Sequence, residues 1–289
     1  MNKIKQCGGL SHESSRWSKH ARHRGTLPRR KESCARCIIE ENTSDAYGGG
    51  AHVQDYFGAA STQGDFLNCA FRNNRVGPGW HLTAWGAAAY IASPSAKIRF
   101  VNCEASGNQA EWSGGAFAQK GGTVAVEFLG CTIVDNVSLH GHSGIYTSDA
   151  AVTIQGSIVW GNTTLSSESI HQGQLTGTTA DFDVRLSCIE GPSVFPGTGN
   201  INLDPIFVNA SLGDYRIAAG SPCIDAGRNG AIPNSDPADL DQDGNLTEEL
   251  PLDFGGVTRR LDDPGTIDTG SGAAPVVDMG AHEFDPGVP

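Results

Sequence analysis

Four nine-residue segments within residues 65–162 are copies of one another, and this repeat restricts the chain to a stacked architecture. They are Phe66-Leu-Asn-Cys-Ala-Phe-Arg-Asn-Asn74, Phe100-Val-Asn-Cys-Glu-Ala-Ser-Gly-Asn108, Phe128-Leu-Gly-Cys-Thr-Ile-Val-Asp-Asn136 and Ile154-Gln-Gly-Ser-Ile-Val-Trp-Gly-Asn162. Each opens on an apolar residue, carries a small residue (Cys69, Cys103, Cys131, Ser157) at its fourth position and closes on Asn. Successive copies are offset by 34, 28 and 26 residues at all three marks. A period of this size belongs to units that bury a continuous core only by stacking on their neighbours.

The pattern inside the repeat selects the kind of stack. Val124, Val126 and Phe128 alternate with Ala125 and Glu127, then the phase slips and Leu129, Cys131 and Ile133 become the apolar set. Two short strands joined by a bend are expected, each with period-two burial, and no stretch has helical spacing. A Gly/Ala-rich element precedes each segment: Gly48-Gly-Gly-Ala-His-Val53, Gly86-Ala-Ala-Ala-Tyr-Ile91, Gly114-Gly-Ala-Phe-Ala118 and Gly144-Ile-Tyr-Thr147. It supplies a tight turn into a third strand. The expected fold is all-β, a right-handed parallel β-helix with coils over residues 46–205. Asn74, Asn108, Asn136 and Asn162 should form a hydrogen-bonded ladder in left-handed turns. Cys69, Cys103 and Cys131 should stack inward as buried thiols.

Charge divides the chain. Residues 1–36 hold ten of the twenty Lys and Arg with two acids, whereas residues 37–289 hold ten basic against thirty acidic residues, a formal charge of −20. An acidic body repels nucleic acid and attracts cations, so no nucleic-acid partner is expected. Residues 1–45 lack periodicity and are expected to be a basic, disordered leader. Cys34-Ala-Arg-Cys37 has the spacing of half a zinc knuckle, without a second pair downstream. No apolar run reaches membrane-spanning length, and the N-terminal segment has no apolar signal region. The chain is expected to begin within a longer, extracellular protein.

Residues 206–289 are expected to form a loop-rich C-terminal region, and four ordered motifs run from just before its start to its end. They are Leu203-Asp-Pro-Ile-Phe207, Gly213-Asp-Tyr-Arg-Ile217, Gly220-Ser-Pro-Cys-Ile-Asp-Ala-Gly227 and Val277-Asp-Met-Gly-Ala-His-Glu-Phe284. With the coils, these resemble the secreted bacterial β-helix proteins of pectin-lyase-like fold, of the choice-of-anchor Q or polymorphic outer-membrane-protein-like kind. The resemblance implies an extracellular or cell-surface location. It implies no reaction, because that fold carries lyases and hydrolases as well as inert surface proteins.

Between the motifs, Asp239-Leu-Asp-Gln-Asp-Gly-Asn-Leu-Thr-Glu-Glu-Leu250 matches the first half of a calcium loop. Asp239, Asp241 and Asp243 occupy positions 1, 3 and 5, and Gly244 provides the sharp turn. Asn245 would offer its backbone carbonyl, and Glu248, Glu249 or Asp253 would close the site, because position 12 is Leu250. Ca2+ is the expected cofactor.

A polygalacturonase-like site would need carboxylates flanking the glycosidic bond with a His and a basic residue nearby. His140 and His142, with Asp135, are the candidates for it, but no paired Asp or Arg-x-Lys accompanies them. No catalytic residues are therefore assigned. Trp80, Trp85 and Trp112 lie in the turns before the Gly-rich strands and are the candidate carbohydrate-binding residues. The expectation is a monomeric, non-catalytic surface protein that binds a polysaccharide or cell-surface glycan; the alternative is a polysaccharide lyase or glycoside hydrolase.

Overall fold

The computed structural model describes residues 4–6, 31–54, 63–77, 84–92, 97–120, 125–148, 150–165, 173–177 and 181–287. Short strands recur in the same order along successive coils, and each pairs in parallel with its equivalents one coil away. The first sheet contains Lys31–Ala35, Gln63–Leu67, Lys97–Val101, Ala125–Leu129, Val152–Gln155 and Phe182–Arg185. The second contains Ile38–Glu40, Ala70–Arg72, Glu104–Ser106, Thr132–Val134, Ile158–Trp160 and Cys188–Ile189. Two-residue strands after each ladder Asn form a third sheet: Thr43–Ser44, Arg75–Val76, Gln109–Ala110, Val137–Ser138 and Thr163–Thr164. The Gly-rich elements lead into the fourth: Ala51–Gln54, Ala89–Ala92, Phe117–Gln119, Ile145–Thr147 and Leu175–Thr176. A coil thus has four strands where three were expected, because the two-residue strand after the Asn is too short to show period-two burial.

Register follows the repeat. Phe66, Phe100, Phe128 and Ile154 are direct cross-strand partners. Their rings stack inside the coil, Phe66 on Phe100 at 4.9 Å and Phe100 on Phe128 at 5.1 Å between centroids. The closing asparagines form the expected ladder. Asn108 Nδ2 donates to Asn136 Oδ1 at 2.8 Å, while Asn108 Oδ1 accepts from the Asn74 backbone N–H at 3.0 Å and from Asn74 Nδ2 at 2.9 Å. The ladder extends to Asn42 at one end and to Gln174 at the other. The left-handed residue, however, is the one before each Asn: Asn73, Gly107, Asp135 and Gly161 have φ of 52°, 62°, 52° and 66°. That residue turns the chain, which leaves the Asn side chain free to point inward.

The coils begin at Lys31, ahead of the boundary expected at residue 46. Cys34-Ala-Arg-Cys37-Ile-Ile-Glu-Glu-Asn42 is itself a copy of the repeat, with Cys34 opposite Phe66 and Ile39 opposite Phe71. Within the expected leader, Ile4–Gln6 also pairs antiparallel with Ile38–Glu40. Cys34, Cys37 and Cys69 gather their sulfurs within 4.8 Å of one another. Cys37 is engaged in a disulfide, so this group is core rather than a zinc knuckle. Cys69, Cys103 and Cys131 are buried, unbridged members of the inward column.

The phase slip at Phe66/Leu67, Phe100/Val101 and Phe128/Leu129 has a different cause from the one expected. The first residue of each pair faces into the coil; Leu67, Val101 and Leu129 face outward and pack against Ala231, Ile232, Leu240, Leu250 and Val277 of the C-terminal region. That region opens with an antiparallel hairpin, Phe207–Asn209 with Asp214–Ile217, and continues as irregular chain folded onto the outside of the coils. Its contacts with the second sheet include Ala281 N–H to Thr132 Oγ1 at 2.9 Å. A further apolar cluster joins Ile158 and Cys188 to Ile217, Cys223, Ile224 and Met279. The C-terminal region is therefore an outer layer on the coils.

Candidate functional site

The outer layer brings acidic side chains together in the segment expected to bind calcium. Asp239, Asp241 and Asp243 place carboxylate oxygens within 4.8 Å of one another. Oxygens that both lie about 2.3–2.6 Å from one calcium ion can be that far apart. The turn is held by Gly244 N–H to Asp239 Oδ1 at 3.0 Å and Asn245 N–H to Asp243 Oδ1 at 2.7 Å, with Gly244 at φ 84°. Of the three residues considered for closing the site, Glu248 is the one that joins: with Asp236 and Asp241 it forms an overlapping group within the same spacing. Its Oε1 is buried without a hydrogen-bond partner. Desolvation, followed by the carboxylates of Asp243, Asp241, Asp236 and Asp239, raises Glu248 above the usual carboxylate range.

Glu249 points elsewhere, into an ion pair with Arg260 at 2.6 Å. Asp253 instead accepts from the Val257 and Glu283 backbone N–H groups at 2.7 and 2.8 Å. The Asn245 side chain accepts from Thr247 Oγ1 at 2.9 Å and donates from Nδ2 to Glu248 Oε2 at 3.4 Å. Asp236 was missed from the sequence because it precedes the loop pattern by three residues. Its carboxylate accepts from Leu240 N–H at 2.5 Å and Ala238 N–H at 3.2 Å, which turns the chain into the loop.

The fourth sheet carries the aromatic residues. His52, Tyr90 and Tyr146 fall in one outward column, through the pairs His52 with Tyr90 and Tyr90 with Ala118, then Ala118 with Tyr146. Tyr47 stacks on Tyr90 at 4.6 Å, and Trp85 meets Tyr90 at 6.2 Å and Tyr146 at 5.8 Å. Trp85 is only 7% exposed, and Lys120 Nζ lies 3.7 Å from its ring centroid. Trp85 thus supports the patch, and the half-exposed Tyr47, Tyr146 and Trp112 with exposed His52 form its surface. Trp80 lies outside the described residues.

His140 and His142 join this face and not Asp135. His142 stacks on Tyr146 at 5.5 Å, and His140 lies 5.6 Å from Trp112. Asp135 accepts from Tyr215 Oη at 2.9 Å, under the C-terminal hairpin. Desolvation raises Asp135 above the usual carboxylate range in spite of that bond. The three residues do not assemble a hydrolase site.

One other polar group has the composition of a catalytic centre. On the second sheet, Glu104 receives Arg72 Nε at 2.7 Å and lies 3.6 Å from His282 Nε2 of the closing motif. Glu104 is 1% exposed and also accepts from Ser106 Oγ at 3.2 Å. Although burial opposes it, hydrogen bonding by His282 and the charge of Arg72 hold the Glu104 carboxyl below its usual range, so it stays ionised and paired. A carboxylate closed in this way has no face left for a sugar ring. It fastens the outer layer to the coils.

Parallel coils with four short strands, an internal Asn ladder and stacked inward aromatics define a parallel β-helix. The right-handed β-helix region family model matches residues 30–187, more than half of the chain, and the chain belongs to that family. This fixes the handedness, and the match begins at the rung of Cys34 and ends at that of Ser187. No curated protein matches the sequence. Among the described residues, no helix is long and apolar enough to cross a membrane.

Proposed function

We propose that this chain is a non-catalytic extracellular or cell-surface β-helix protein, of the choice-of-anchor Q kind found in bacteria, that binds glycan chains along its fourth sheet. The observation that carries this reading is the aromatic surface of His52, Tyr47, Tyr146 and Trp112, backed by buried Tyr90 and Trp85, on a face that the packing clusters of the outer layer do not include. Tyr and Trp rings present flat apolar area with a polar tip, the chemistry that stacks on the C–H face of a sugar. Two of the four C-terminal motifs are joined directly, which supports the family reading: Met279 N–H donates to Cys223 O at 2.9 Å, and Asp225 N–H donates to Asp278 at 2.7 Å. Calcium held by Asp236, Asp239, Asp241, Asp243 and Glu248 would keep the outer layer folded at neutral pH.

The test is calorimetric titration of the purified chain with acidic and neutral polysaccharides, alongside an assay for new reducing or unsaturated ends. Saturable binding, weakened at least tenfold in Tyr146→Ala and accompanied by no new ends, is expected. New ends above an enzyme-free control would refute the non-catalytic reading. Undiminished binding by Tyr146→Ala and Tyr47→Ala would move the site off this face. Calcium is tested separately by the melting temperature, which it should raise in the wild type and not in Asp241→Asn.

A further inference from the structure

The closing motifs enclose a carboxylate that the calcium loop does not use. Asp225, the Asp of Gly220-Ser-Pro-Cys-Ile-Asp-Ala-Gly227, has no accessible surface, and neither of its carboxylate oxygens has a hydrogen-bond partner. The Asp263 backbone amide approaches the carboxylate without reaching hydrogen-bonding geometry. Among the described residues, no Lys, Arg or His forms an ion pair with Asp225, Asp262 or Asp268. An isolated buried carboxylate is among the costliest groups a fold can contain, and it is retained where something neutralises it.

What faces Asp225 is more negative charge. Asp262 and Asp268, both exposed, bring one oxygen each to within 4.8 Å of the Asp225 oxygen and of each other. Burial, then the charges of Asp268, Asp262 and Asp263, push Asp225 up to about 6. Three carboxylates that converge in this way repel one another unless a cation lies among them. The main chain holds the geometry firmly. Asp225 adopts φ 50°, its N–H donates to Asp278 Oδ1 at 2.7 Å, and its carbonyl accepts from the N–H groups of Thr269 and Gly270 at 2.9 and 3.0 Å. The buried ligand and the loop that carries the exposed ones are thus bound to each other by backbone.

We propose that Asp225, Asp262 and Asp268 form a second divalent-cation site, of the all-oxygen calcium class, that ties the 262–268 loop to the buried seam of the C-terminal region. It is separate from the loop of Asp239, Asp241 and Asp243, with which it shares no residue. Asp225 supplies a fixed ligand from below; Asp262 and Asp268 close over it from the solvent side, and their exposure leaves room for water in the remaining coordination positions. A hard cation suits a ligand set made only of carboxylates.

The experiment is calorimetric titration of the chelator-stripped full chain with calcium chloride, together with melting curves. The wild type is expected to take up two calcium ions per chain, Asp268→Asn one, Asp241→Asn one, and the double variant none. Asp225→Asn should fold, because Asn keeps every backbone bond and tolerates the left-handed conformation. In chelator it should melt above the wild type, having lost an unneutralised buried charge, and it should bind one ion fewer. A purely structural role for Asp225 gives the opposite melting shift. Undiminished stoichiometry in both Asp225→Asn and Asp268→Asn overturns the site. If the wild type binds a single ion that Asp241→Asn abolishes, this site fails and the loop stands; if Asp225→Asn and Asp268→Asn abolish it, the loop fails and this site stands.

Discussion

Replacing Asn108 by Ala tests the ladder where it is most enclosed. Asn108 is fully buried, and its side chain makes four hydrogen bonds. Nδ2 donates to Phe71 O at 2.8 Å and to Asn136 Oδ1 at 2.8 Å; Oδ1 accepts from the backbone N–H and from Nδ2 of Asn74. Truncation leaves two main-chain groups, Asn74 N–H and Phe71 C=O, without these partners in a dry interior. Each such group costs roughly 1–3 kcal/mol, so the expected loss is about 2–6 kcal/mol. Asn136 Oδ1 still accepts from the Asn108 backbone N–H at 3.0 Å, which holds the loss towards the lower half of that range. Asn108→Asp separates shape from donors: the carboxylate keeps the acceptor but loses both N–H donations and faces Asn136 Oδ1 with like polarity. It should be at least as destabilising as Ala although almost isosteric. The assay is chemical denaturation followed by far-ultraviolet circular dichroism, with wild type and variants in the same buffer. A loss below about 0.5 kcal/mol for either variant would mean that the ladder reports the register without stabilising it.

Three further outcomes follow from the same structure. Gly115→Ala should prevent folding or cost at least about 3 kcal/mol by denaturation, because a Cβ there would meet Ser143 O at 2.5 Å and Val137 O at 2.7 Å, both backbone atoms. In chelator, the melting temperature should fall as pH rises from 5 to 8. Burial pushes Glu283 up to about 7 even beside Arg259, and Asp225 up to about 6. The unfolded chain therefore releases these protons first, and stability drains away as pH passes from the ordinary carboxylate range through the raised values. A melting temperature that rises over this interval would contradict the sign. Tyr215→Phe should cost about 1 kcal/mol by denaturation through loss of the Asp135 bond, and an unchanged midpoint would show that water replaces the phenol there.

The solenoid was readable because stacking forces equivalent positions of different coils into equivalent environments. A Phe at the start of the segment and an Asn at its end can be compared across coils with no knowledge of the rest. The same logic should have revealed the rung at residues 34–42, where Asn42 closes the segment and Cys37 holds the small position. It was hidden because Cys34 replaces the opening aromatic, and because the pair Cys34 and Cys37 suggested metal chemistry. Leu129 shares the apolar phase of Cys131 and Ile133 in the sequence, yet it packs outward with Leu67 and Val101, for a related reason. A strand covered on both faces gives an apolar doublet, and sequence spacing alone does not separate a bend from a second packing surface. The grouping of Asp239, Asp241 and Asp243 could be seen because these carboxylates alternate locally. Asp225, Asp262 and Asp268 are brought together only by tertiary folding, so no local spacing marks them.

The outer layer also limits where a ligand can bind. It covers the outward side of the second sheet, through Thr132, Ile158 and Glu104, and the corner residues of the first, through Leu67, Val101 and Leu129. The open part of the first sheet carries outward ion pairs, Arg99 with Asp65 at 2.6 Å and Lys97 with Glu127 at 2.7 Å, and these already satisfy one another. The third sheet contributes only two residues per coil. Among the described residues, partly exposed rings gather on the fourth sheet, where cross-strand pairing sets His52 and Tyr146 in one column and buried Tyr90 between them backs Tyr47. Rigid rings lose little entropy on binding, and a glycan chain running parallel to the stack would meet one sugar-binding surface per coil or two, so that weak contacts add. Affinity should therefore rise steeply with oligosaccharide length up to the span of the column and then level off. A monosaccharide that binds as tightly as a hexasaccharide would place recognition in a single pocket and would refute the extended face.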